Sequence, residues 1–108
     1  MENKILENIL LEERDRLLGR LKIIEERIAS LPSGWIRKIK KGDKTYKYLY
    51  ISKREGKAVK SIFSGKVDEK TEKLIEERKR LVEERKRLKK KINELNKILR
   101  LANGRRNR

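Results

Sequence analysis

Apolar positions follow two different periods along this chain, and the change of period divides it into three stretches. In the first, Leu10, Arg14, Leu17, Leu21, Ile24, Ile28 and Leu31 are separated by steps of four and three. That spacing places one side chain per turn on a single stripe, the seam of a coiled coil. It predicts a helix over residues 3–31. Gly19 falls on the solvent side, where it weakens the helix by about 1 kcal/mol relative to alanine. Pro32 disfavours helical geometry in the residue before it and Ser33-Gly34 follow, so the helix ends near Leu31.

From Trp35 to Gly65 the apolar period drops towards two. Strands are expected at about 35–41, 45–52 and 57–63. Lys41-Gly42-Asp43-Lys44 forms the first tight turn and Lys53-Arg54-Glu55-Gly56 the second, with Ser64-Gly65 ending the last strand. The second strand alternates most clearly: Tyr46, Tyr48 and Tyr50 point one way, Lys47, Leu49 and Ile51 the other. Which of these faces is covered stays open.

Seam spacing returns over residues 68–102 with Leu74, Arg78, Leu81, Arg85, Leu88, Ile92, Leu95, Leu99 and Ala102. Asp68 is a candidate N-cap, Glu69 and Glu72 favour the positive end of the helix dipole, and Asn103-Gly104 is a stop signal. Residues 103–108 would then be a basic tail. The two seams match when laid antiparallel, Leu31 on Leu74, Ile24 on Leu81, Leu17 on Leu88 and Leu10 on Leu95. Each arm would be about 45 Å long. Arg14, Arg78 and Arg85 interrupt the seam and are expected to lay their stems on it and reach out to glutamates. The fold class is therefore α+β: an antiparallel helical hairpin (coiled coil) with a small three-stranded antiparallel sheet inserted between the two long helices, all in one domain, 1–108.

Composition sharpens this picture. Of 108 residues, 46% are charged and 35% hydrophobic, too few apolar groups for a thick globular core. Cysteine and histidine are absent, which removes disulfides, the usual metal ligands and the usual neutral-pH base, so no cofactor or metal is expected. No Ser/His or Cys/His pair, phosphate-binding loop or metalloprotease motif is present, and an enzyme is not expected. No apolar run is long enough to span a bilayer, and the first residues lack a signal-peptide pattern, so a cytoplasmic protein without a membrane partner is expected, at the nucleoid if it binds DNA. Abundant Lys, Arg, Glu and Ile suit a thermophile.

The net charge of +16 is unevenly placed. Residues 1–33 hold 6 basic and 7 acidic groups, residues 34–65 hold 10 and 2, and residues 66–108 hold 17 and 8. A concentrated positive field points to a polyanionic partner, nucleic acid first. Candidate contacts are Arg37, Lys38, Lys40, Lys41, Lys44, Lys47, Arg54, Lys57 and Lys60 for phosphates, with Tyr46, Tyr48 and Tyr50 to orient or stack. Arg37, Lys38, Lys40, Lys47, Arg54 and Lys60 lead that set. The alternative is that the tyrosines pack on helix ends and the lysines only solubilise sheet edges. Trp35 is placed in the core at the helix–sheet junction, with base stacking as its alternative. In the last stretch, EERKRL repeats one heptad apart (76–81 and 83–88), and the basic surplus there offers an auxiliary phosphate track. At the hairpin's free end Ile5, Leu6, Ile9, Leu10, Leu95, Ile98, Leu99 and Leu101 make a wider apolar stripe than one partner helix covers, which implies a homodimer.

Leu31-Pro32-Ser33-Gly34-Trp35-Ile36-Arg37-Lys38, followed by Gly42, Tyr46, Tyr48, Tyr50, Arg54-Glu55-Gly56-Lys57 and Gly65, loosely resembles the N-terminal three-stranded sheet module of insertion-sequence transposases and small archaeal helical-hairpin proteins. The likeness covers about a third of the chain. It implies DNA handling and a mobile-element or archaeal origin. The transposase acidic core has no counterpart here, so transposition is not implied. The leading expectation is a regulatory or architectural protein that binds double-stranded DNA. RNA or single-stranded nucleic acid is the first alternative, and a protein-docking module the second.

Overall fold

The computed structural model describes residues 4–106, which run α1 (Lys4–Ser30), β1 (Trp35–Lys41), β2 (Lys44–Glu55), β3 (Ala58–Lys66) and α2 (Glu69–Arg106). The class is α+β, with an antiparallel sheet between two helices in the sequence. Asn3, at the predicted start of the first helix, and Asn107-Arg108, at the end of the basic tail, lie outside the described residues. Two compact units divide the chain: Met1–Ile28 with Leu81–Arg108, and Ala29–Arg80.

The first unit owes its core to the seam. Leu17, Ile24, Ile28, Leu88 and Ile92 are buried in one cluster, and Leu21, Leu81, Val82 and Leu95 pack partly buried against it. Isolated helices are marginal in water, so this shared apolar face is what holds them. The segments run antiparallel: Arg14 bonds Asn96, whereas Arg20, further along α1, bonds Glu84, nearer the start of α2. Arg14 therefore reaches an amide and not the glutamate expected of it. A neutral acceptor suffices here because the stem is already fixed on the seam, and its Nε is buried without a partner. Ion pairs on the flanks, such as Arg20–Glu84 at 3.1 Å, are exposed and add at most about 1 kcal/mol each.

α2 continues to Arg106, past the stop expected at Asn103-Gly104. Glycine permits the left-handed turn that ends a helix but does not compel it. Leu99, buried one turn earlier, anchors this end.

In the second unit the strands form a meander in the order β1-β2-β3. Lys41 pairs with Lys44 and Glu55 with Ala58, leaving the two-residue turns Gly42-Asp43 and Gly56-Lys57. Gly42 and Gly56 both have φ +61°, and no non-glycine residue among those described has positive φ. Left-handed geometry at the first turn position alone marks type II′ turns, whose twist matches the strands. The second turn thus lies at 56–57 and not at 53–56, and β2 extends through Arg54 and Glu55 into the ladder. β3 likewise runs to Lys66 instead of ending at Phe63. Leu49 faces Gly65 while Tyr50 faces Phe63, so Ser64 is an extra residue in β3, a bulge.

Asp68 caps α2: its Oδ1 accepts from the Thr71 N–H at 2.6 Å, and its carbonyl accepts from Glu72 N–H. That bonding, led by Thr71, holds the Asp68 carboxyl below the usual aspartate range. Leu31 and Ile75 are the buried apolar residues of this unit among those described.

Candidate nucleic-acid interface

Strand parity sorts the candidate residues onto two faces. Cα partners in a ladder share a face. Trp35 pairs with Tyr50, Arg37 with Tyr48, Ile39 with Tyr46 and Lys41 with Lys44. Across β2, Lys66 pairs with Tyr48, Phe63 with Tyr50 and Val59 with Arg54. One face therefore carries every ring of the sheet together with Arg37, Lys41, Lys44, Arg54 and Lys66. Lys38, Lys40, Lys47 and Lys60 lie on the other, and Lys57 sits in the second turn. The sheet thus divides the leading basic set between its two sides.

The rings form a connected row. Trp35 and Tyr50 stack with centroids 4.5 Å apart and planes 10° from parallel. Phe63 meets Tyr50 edge-on at 5.6 Å and Tyr48 at the same separation, tilted by 50°. Tyr46 stacks on Tyr48 at 6.5 Å, and the Lys66 ammonium lies 5.4 Å from the Tyr46 ring centroid. The tyrosines are half-buried by one another, while Trp35 is 42% and Phe63 57% exposed. Trp35 is not the core residue expected at the helix–sheet junction. Parity places it opposite Tyr50, on the open side, whereas Leu31 and Ile75 are the buried residues of the unit.

The opposite face is covered where it meets the first turns of α2. There Lys47 Nζ donates to both carboxylate oxygens of Glu72, at 2.8 and 2.9 Å. The bond to Glu72 holds the ammonium above the ordinary lysine range. Lys47 is thereby committed inside the fold, although it belonged to the leading phosphate set. Beside it lies an open depression of about 460 Å³ lined by Lys47, Val67, Glu69, Glu72, Lys73 and Glu76, whose three carboxylates suit no polyanion. Lys60 is exposed but lies 3.4 Å from Glu55.

Alternation along β2 puts the three tyrosines on one side, as the ladder does, but it leaves Phe63 and Lys66 out of the candidate set and Trp35 in the core. The signal for Trp35 was available, because counting back from the Gly42-Asp43 turn pairs residue 35 with residue 50. Phe63 follows in the same way once the second turn is set at Gly56-Lys57, because the unshifted register from Glu55 and Ala58 leads to Tyr50 and Phe63; Lys66 does not, since the bulge at Ser64 shifts the register before it.

At the free end of the helical unit, Leu99 is buried within its own unit and Leu10 and Leu95 are half-buried. Ile5, Leu6, Ile9, Ile98 and Leu101 remain exposed. Among the described residues no group of three or more acidic, histidine or cysteine side chains could hold a metal, and no helix is long and apolar enough to cross a membrane. Comparison with protein-family models, curated proteins and solved structures gives no match.

Proposed function

We propose that this is a non-enzymatic nucleic-acid-binding protein that engages its partner through the aromatic face of the sheet. The observation carrying this reading is the sharing of one exposed face by five rings and five cations, Arg37, Lys41, Lys44, Arg54 and Lys66. Cations supply the sequence-independent attraction to phosphate and rings supply surface for bases or sugars. Between residues 34 and 65 only Asp43 and Glu55 oppose ten basic groups, so the surface field stays positive. Lys38 and Lys40, exposed on the other side of β1, and Lys57 in its turn add to that field without joining the aromatic row. A small sheet of this kind also fits the major groove of duplex DNA.

The test is a salt titration of binding. Each phosphate contact contributes about −0.9 to the log–log slope on duplex DNA and about −0.7 on single strands. Arg37→Ala is expected to flatten the slope by about one such contact. A slope near zero for the native protein would remove the reading.

The spacing of the helical seam is that of a coiled coil, and the exposed Ile5, Leu6, Ile9, Ile98 and Leu101 support self-association of that end as a homodimer. Sedimentation equilibrium of the native chain beside Ile9→Glu reads this out: the native chain should dimerise and the variant should not.

A further inference from the structure

The indole of Trp35 does more than terminate a row of rings. Trp35 lies on β1, yet its Nε1–H donates to the Ser61 hydroxyl on β3, at 3.4 Å. Because β2 lies between those strands, the ring must cross over it, and it does so stacked on Tyr50. Its inner face is thus covered and its polar edge bonded, while the residue as a whole is still 42% exposed. Gly34 makes this placement possible. It has φ +143°, and a Cβ there would stand 2.5 Å from the Tyr50 carbonyl oxygen. The strand therefore starts close against Tyr50. Arg37, two residues on along the same face, is exposed and has no carboxylate within ion-pair range among the described residues.

We propose that the outer face of Trp35 is a stacking platform for an unpaired nucleobase, with Arg37 holding a neighbouring phosphate, so that the preferred partner is single-stranded nucleic acid and not duplex. This rests on the nucleic-acid reading above and narrows its substrate class. A base inside a duplex has both faces occupied by its neighbours and cannot offer one to an indole; a base in a single strand can, and stacking of this kind tolerates any sequence. The platform is pre-organised, since Tyr50, itself edge-on to Phe63, and Ser61 hold the ring before any ligand arrives, which lowers the entropy cost of binding. A second copy of the chain is a poor occupant, because two sheets of the same strong positive charge would have to meet face to face.

Trp35 is the sole tryptophan, so its emission reports on the platform directly. Labelled oligothymidylate, the same oligomer with abasic sites, and a duplex of matched length would be titrated into the native chain, following both anisotropy and tryptophan emission. Oligothymidylate is expected to bind tightest and to quench the emission to saturation, while the abasic strand binds without quenching. Trp35→Ala should weaken oligothymidylate binding by about 5- to 150-fold, the range that base stacking supplies, and leave the abasic strand within about twofold. Trp35→Phe, which keeps a flat ring, should fall between. Oligothymidylate that binds without altering the emission, or a duplex that binds as tightly, overturns the platform while leaving nucleic-acid binding intact. An emission shift that depends on protein concentration alone assigns the face to self-association and also overturns it. Absence of binding to all three probes at low salt removes the broader reading as well.

Discussion

The helical unit and the sheet unit use apolar residues in opposite ways. In the helices, leucine and isoleucine recur on one stripe and disappear into a shared core, with Ile24 only 1% exposed. In the sheet, the rings sit on the outside, and Phe63 and Val59 are 57% and 63% exposed. Apolar side chains left in water contribute little to stability. Here they form a connected row beside cations that have no ion-paired carboxylate among the described residues, the arrangement on which the proposed binding role rests. The contrast teaches that hydrophobicity alone does not locate the core of this chain; the partner of each apolar face does.

That contrast can be broken most sharply at Ile24. Ile24→Ala should cost about 2–5 kcal/mol in chemical denaturation, whereas Val59→Ser should change stability by no more than about 0.5 kcal/mol. Equal losses at the two positions would show that the open face is not open. Next in size is Gly34→Ala. Its positive φ and the nearby Tyr50 carbonyl predict a loss of about 1–3 kcal/mol, together with altered Trp35 emission, because the start of β1 must move.

A smaller effect of opposite sign is expected in the helices. Gly19 is exposed on α1, and a methyl group added there would meet nothing within 4 Å, so Gly19→Ala should raise stability by about 1 kcal/mol. A loss there would reveal a packing partner for that side of α1. The smallest effect concerns pH. The Thr71 contacts depress the folded pKa of Asp68 below its unfolded value, so its stabilisation is present above the unfolded pKa and disappears as pH falls through the folded one. Thermal melts through the acid range should therefore show a component that Asp68→Asn flattens, since asparagine caps a helix without titrating.

Much of the helical unit can be read from the chain itself. Leu17, Ile24, Ile28, Leu88, Ile92 and Leu99 lie on the predicted seams and are buried. Strand one, its Gly42-Asp43 turn and the common side of the three tyrosines follow from alternation. Reading fails where local signals compete. Asn103-Gly104 permits a helix end that α2 does not take, and Arg54-Glu55 resembles a turn yet pairs with Val59 and Ala58 in the ladder. Lys47 is indistinguishable from its basic neighbours in sequence, because its commitment to Glu72 depends on a residue 25 positions away.

By itself the sequence determined which segments are helical or extended, where positive charge accumulates and that no cysteine or histidine chemistry is available. Those properties depend on residue type and short-range spacing. Only the tertiary structure decided which sheet face is open, because that depends on cross-strand parity, on the bulge at Ser64 and on where α2 begins. A one-residue shift in pairing exchanges the faces of a strand, so Lys66 joins the tyrosines only through the bulge, while Phe63 shares their face through the register set at the Gly56-Lys57 turn.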